Sequence, residues 1–167
     1  MFRCDKNSND STPGGVAIAI PPNWACGDNP LKFARNGHEA LGLIVIPPGC
    51  EPIKVCTMYN HPGNHVPGDV IDSFIDMKHN DKNLKGIFTG DLNSPHEAFS
   101  SRFTNEFGSS LLNVINNKNL VLLNNEEPTY FNAASGQPNI LDLSLCEPQS
   151  VPIVTSCYVA DDISTDH

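Results

Sequence analysis

Asp91 and Asn93 stand two residues apart in Gly90-Asp91-Leu92-Asn93, directly after the short apolar run Leu84-Lys85-Gly86-Ile87-Phe88-Thr89. A buried strand ending there directs two oxygen-rich side chains into one cleft. A hydrophobic core does not need them; metal-assisted phosphoester chemistry does. Hydrolysing a phosphodiester takes a divalent cation against developing charge, a base that orients and deprotonates water, and donors that hold the phosphate in line. Hard cations such as Mg2+ or Mn2+ prefer carboxylate and amide oxygens and fill the remaining positions with water. Asp91 and Asn93 suit the water-orienting and phosphate-holding parts. Asp142, inside the apolar Ile140-Leu141-Asp142-Leu143, is a candidate metal contact, and so is Asp166, beside His167 at the end of the chain. Asp166 and His167 need not touch; a carboxylate from another loop would raise the proton affinity of His167.

Each residue also has an ordinary structural reading. Gly-Asp-x-Asn is a good turn, because Asp and Asn side chains cap backbone N–H groups. Asp142 fits the solvent face of an edge strand, Asp166-His167 a polar tail, and Tyr59 a strand end with its hydroxyl in water. His61 and His65 lie in a Pro/Gly loop and read as loop residues. His96 follows Asp91 and Asn93 closely enough to remain a candidate.

The elements that must position these groups are mostly short strands punctuated by Pro and Gly. Gly14–Ile20, Ala40–Ile46, Ile53–Tyr59 and Gly86–Thr89 read as strands. Leu120–Leu123, Thr129–Phe131, Asn139–Leu145 and Ile153–Val159 continue the pattern. Val70, Ile71, Phe74, Ile75 and Lys78 fall at helical spacing and predict a helix over Gly68–Lys78, with Asp69 and Asp72 near its favourable N-terminal end. A second helix is expected within Phe103–Lys118. Many strands, two helices and no repeat make an α+β domain built on packed sheets.

Composition narrows the field. The 167 residues are one domain's worth of chain, 39% hydrophobic and only 17% charged. No apolar run approaches the roughly 20 residues that span a bilayer, so no membrane partner is expected. Met1–Pro13 is polar and lacks a signal-peptide core. Six cysteines with no Cys-x-x-Cys pair read as free buried or half-buried thiols of an intracellular protein. The net charge of −9, with ten basic residues, opposes any nucleic-acid partner unless cations or further segments supply positive potential.

An ordered set decides the reading. Gly14-Gly15-Val16-Ala17-Ile18, Tyr59-Asn60-His61-Pro62, Gly90 to His96, Pro128-Thr129-Tyr130-Phe131, Ile140 to Leu143 and Thr165-Asp166-His167 occur in this order. The chain thereby resembles the endonuclease/exonuclease/phosphatase superfamily. Within it, the chain is most similar to the apurinic-type endonuclease domain of non-LTR retrotransposons of the jockey and R1 kind. Asn105, Gly108 and the Leu122–Thr129 segment carry that narrower likeness. The resemblance implies a four-layered sandwich, two β-sheets flanked by helices, with the site at one end of the sheets. It implies that Tyr59 bonds the scissile phosphate, Asp91 orients or deprotonates water, and Asn93 fixes both. Thr129 would support the site, Asp142 would pair with the catalytic His or help hold Mg2+ (or Mn2+), and His167 would contact the phosphate with Asp166 beside it. DNA would be the substrate, a reverse transcriptase domain would lie in the same polyprotein, and the location would be nuclear.

The departures from that family are specific. Its two opening strands, the second bearing a metal-binding Glu, have no match, and neither does the strand after the Asp-His pair. Glu39 leads into a different strand. Residues 1–167 are therefore expected to be a single partial domain, incomplete and inactive as it stands, as a retroelement remnant would also be. A same-fold phosphatase or repair nuclease is the other alternative.

Overall fold

The structure is a computed structural model that describes residues 1–5, 15–35, 37–132 and 134–160. Thirteen strands and two helices are described, in chain order: β1 (Phe2–Asp5), β2 (Gly15–Ile18), β3 (Ala25–Cys26), β4 (Leu31–Arg35), β5 (His38–Ile46), β6 (Ile53–Asn60), α1 (Gly68–Ile75), β7 (Lys78–His79), β8 (Lys82–Asn83), β9 (Lys85–Asp91), α2 (Glu106–Asn117), β10 (Val121–Leu122), β11 (Tyr130–Phe131), β12 (Pro138–Asn139) and β13 (Asp142–Cys146). Short 3-10 turns cover Glu97–Phe99 and Pro148–Ile153.

Strict alternation builds the centre. Along β6, Lys54, Cys56, Met58 and Asn60 are buried on one face, while Ile53, Val55, Thr57 and Tyr59 are half-buried on the other. The main sheet runs β10-β13-β9-β6-β5-β3, with β4 also paired to β5. Among the described strand pairs, only β6–β9 is parallel. A parallel pair needs a crossover rather than a hairpin, and α1 lies on it.

Both helices cover one face. Val70, Ile71 and Phe74 of α1 and Leu111 and Ile115 of α2 pack over Met58, Phe88, Leu143 and Leu145. The Phe74 and Phe88 rings meet edge to face at 5.7 Å, a favoured aromatic geometry. The β1–β2 hairpin brings Cys4 and Val16 onto the opposite face, against Leu41, Leu43 and Val45. Farther along that face the Thr89 and Ser144 hydroxyls bond at 2.9 Å.

The α+β expectation holds, but several boundaries move. Helix α1 stops at Ile75 rather than Lys78, because Lys78 and His79 turn back in the β7–β8 hairpin. Helix α2, Glu106–Asn117, lies inside the expected Phe103–Lys118, and Asn105 sets its start by accepting from the Gly108 N–H at 2.8 Å. Ile153–Val159 is not a strand: Ile153 closes a 3-10 turn containing Pro148 and Pro152, and no regular element follows to residue 160. The paired strands β1 and β4 lie where the sequence reading had none.

Candidate functional site

The strands converge at one end of the main sheet. Asp142 at the start of β13 stands opposite Asp91 at the end of β9. Asp91 is in register with Tyr59 on β6, and Tyr59 with Glu39 on β5. Alternation puts all four side chains on the face away from the helices, in one row across four strands. Asp142 is therefore not on an edge strand, since β13 lies between β10 and β9.

The backbone around Asp91 is shaped for this. Gly90 has φ +149, and a Cβ there would lie 1.9 Å from the Met58 carbonyl oxygen. Only glycine lets β9 approach β6 so closely just before the aspartate. Beyond it, Asn93 takes φ +46, a left-handed conformation that Asn tolerates. Its N–H donates to Asp91 Oδ1 at 3.1 Å, and its side-chain amide donates to the Asn60 carbonyl at 2.9 Å. The Gly-Asp-x-Asn turn is thus part of the sheet-end row. The turn bond is what aims the carboxylate.

Thr129 and Asn124 do equivalent work at β13. The Thr129 hydroxyl accepts from the N–H groups of Leu141 and Asp142 at 3.1 and 3.0 Å. Asn124 donates to the Asp142 carbonyl and accepts from the Ser144 N–H, so its amide continues the strand pairing where β10 has ended.

Tyr59 is electrostatically marked. Burial, then the carboxylates of Asp91 and Glu39, push its phenol above the usual value, so it remains a neutral donor at ordinary pH. The His61 ring stands edge-on to Tyr59 at 4.7 Å, with Nε2 3.8 Å from Glu39 Oε1. His61 is thus a loop residue, but one packed against the row. His65 instead packs on Phe107. His96 serves locally: its Nδ1 accepts from the Ala98 N–H at 2.9 Å, capping the 3-10 turn.

The structure brings together Tyr59, Asp91, Asn93, Asp142 and Thr129. Asp166 and His167 lie outside the described residues. Among the described residues, no three His, Cys, Asp or Glu side chains gather as a metal-holding group. Sequence reasoning gave no role to Asn60, which is 0% exposed and donates to the Leu92 and Asn64 carbonyls, both at 2.9 Å. The signal was present: Asn60 falls at the core-facing parity of β6, where a polar residue needs partners. Glu39, only 2% exposed, was set aside by its strand and recovered by its register.

Comparisons with known proteins bear on the family and the fold. No curated protein sequence matches the chain. Among solved structures, the endonuclease domain of TRAS1, a telomere-specific non-LTR retrotransposon, superposes with a TM-score of 0.71 at 19% identity. The match covers 99% of this chain and 75% of that one, and it shows a shared fold. A family model described as endonuclease-reverse transcriptase matches residues 53–167, which include Tyr59, Asp91, Asn93, Thr129 and Asp142. The chain belongs to the endonuclease–reverse transcriptase family.

Proposed function

We infer that this chain carries the phosphodiester-hydrolysing site of a DNA-nicking endonuclease domain, as part of a non-LTR retrotransposon polyprotein that also holds a reverse transcriptase. The observation that carries the reading is the row of Tyr59, Asp91 and Asp142 at the sheet end, with Asp91 aimed by its bond from the Asn93 N–H. Tyr59, kept neutral, donates to a phosphate oxygen. Asp91 orients the attacking water and takes its proton, with His167 as the other candidate for that proton. Asn93 holds the loop against the phosphate, and Thr129 holds Asp142 at the start of β13. Such a polyprotein acts on chromosomal DNA, so its working location is the nucleus.

The oxygen donors present suit Mg2+ (or Mn2+). Asp142, with Asp166 from the chain end, would hold it, and water and substrate phosphate would complete the shell, as Mg2+ commonly accepts. When bound, the cation neutralises charge developing on the phosphate.

The net charge of −9 favours a second reading on the same chemistry, a phosphatase for small phosphoesters. Turnover of supercoiled plasmid and of p-nitrophenyl phosphate, each with Mg2+ and with chelator, separates the two. Metal-dependent nicking with negligible p-nitrophenyl phosphate turnover supports the endonuclease. The reverse preference overturns it in favour of the phosphatase. Absence of both activities would overturn both readings for residues 1–167 and match instead the incomplete, inactive piece that the unmatched strands lead one to expect.

A further inference from the structure

Directly behind the Tyr59–Asp91 row, on the helix-facing side of the same strands, lies a second row. His38 on β5 is in register with Asn60 on β6, and both are buried, at 9% and 0% exposure. The two hydrogens of the Asn60 amide are committed to the Leu92 and Asn64 carbonyls, each at 2.9 Å. That commitment leaves Asn60 Oδ1 as the atom facing His38 Nδ1, 2.5 Å away. An oxygen there can only accept, so Nδ1 must carry a hydrogen. The contact selects one tautomer of the imidazole.

The chain of bonds leads to the catalytic loop. Asn60 Nδ2 holds the Leu92 carbonyl, and the Asn60 carbonyl holds the Asn93 side chain. Leu92 and Asn93 are the residues that follow Asp91, and the Asn93 N–H is what aims the Asp91 carboxylate. Were the Asn60 amide to turn over, its oxygen would face two carbonyl oxygens, and the clamp on Leu92 would be lost. The donor at His38 opposes that orientation from the other side, where the turned NH2 group would meet an N–H.

We propose that His38 is a positioning residue for the Asp91–Asn93 loop: its Nδ1–H locks the Asn60 amide in the orientation that clamps the Leu92 carbonyl, between Asp91 and Asn93. That the loop so held is catalytic rests on the nuclease reading above; the clamp itself does not.

Nitrogen-15 spectra of the imidazole test the lock without any activity. The neutral His38 ring is expected as the Nδ1–H tautomer, and an Nε2–H tautomer overturns the proposal. Amide exchange tests the consequence. The Leu92 N–H bonds the Leu141 carbonyl at 3.0 Å and the Asn93 N–H bonds Asp91, so both report on the loop. In His38→Leu their exchange should quicken about tenfold or more, while amides in the middle of β5 and β6 keep their protection. His38→Asn, whose amide nitrogen replaces Nδ1, should restore the slow exchange. Equal loop protection in the wild type and His38→Leu, or a loss in His38→Asn equal to that in His38→Leu, contradicts the proposal. In nicking assays His38→Leu should lower kcat with KM little changed. Absence of wild-type nicking would count against the nuclease reading alone, with the tautomer and exchange results still deciding the role of His38.

Discussion

Tyr59 shows how much one side chain owes to its neighbours. Burial and the carboxylates of Asp91 and Glu39 all disfavour its phenolate. A raised pKa in the fold means that its stabilising contribution is complete below the unfolded value of 10.0 and is lost as pH climbs above it. Subtracting the absorbance titration of Tyr59→Phe from that of the wild type isolates its ionisation, which is expected above 10.0 and lower in Asp91→Asn. Ionisation at or below 10.0 in the wild type would remove the electrostatic argument. Lys54 makes a second test. At 1% exposure its ammonium lies 2.7 Å from Glu147, donates to the Ile75 carbonyl at 2.6 Å and sits 4.8 Å from the Phe74 ring centre. Glu147→Gln leaves that charge buried with neutral partners alone, and urea unfolding should register a loss of about 3–5 kcal/mol. The convergence of Asp91, Asn93, Tyr59, Asp142 and Thr129 at one sheet end could be anticipated because local motifs, and the resemblance built on them, carry these residues. His38, Glu39 and Asn60 were not legible, because their meaning arises from register between β5 and β6, which no local window contains.

At the scale of elements, periodicity was informative where a segment had a strong face. The long strands β5 and β6 and the two helices follow from their apolar spacing, with helix ends set by finer chemistry. Asn105 sets the start of α2 within the expected segment, since its side chain satisfies the Gly108 N–H. Asn105→Ala should cost about 1 kcal/mol in equilibrium unfolding. The segment Ile153–Val159 misled because its apolar residues have strand character, while Pro148 and Pro152 just before it set a 3-10 turn. Short strands such as β3 and β4 exist through pairing with β5 more than through their own composition. Gly90 joins element to site. Gly90→Ala must push β9 off the Met58 carbonyl, and should destabilise the protein by roughly 3 kcal/mol or more while disordering the Asp91 turn. Unchanged unfolding and unchanged amide shifts at Asn93 would contradict that role.

The whole molecule is acidic, with 19 carboxylate residues against ten basic ones. A protein with six to ten phosphate contacts loses roughly 10³–10⁵ in DNA affinity between 50 and 200 mM salt. This chain should lose far less, because it has few cations with which to release counterions from DNA. A steep salt dependence would show that charge elsewhere dominates the encounter. The layered arrangement places that acidic chain's catalytic candidates at one sheet end, with helices bracing one face and the β1–β2 hairpin the other. The central claim is that this sheet end hydrolyses DNA through Asp91. The most direct measurement is the rate of supercoiled-plasmid nicking in Mg2+ by the chain and by its Asp91→Ala variant. The account predicts nicking by the wild type that falls at least about a hundredfold on substitution, the scale of losing a group that acts in proton transfer. Equal rates in the two proteins would contradict it.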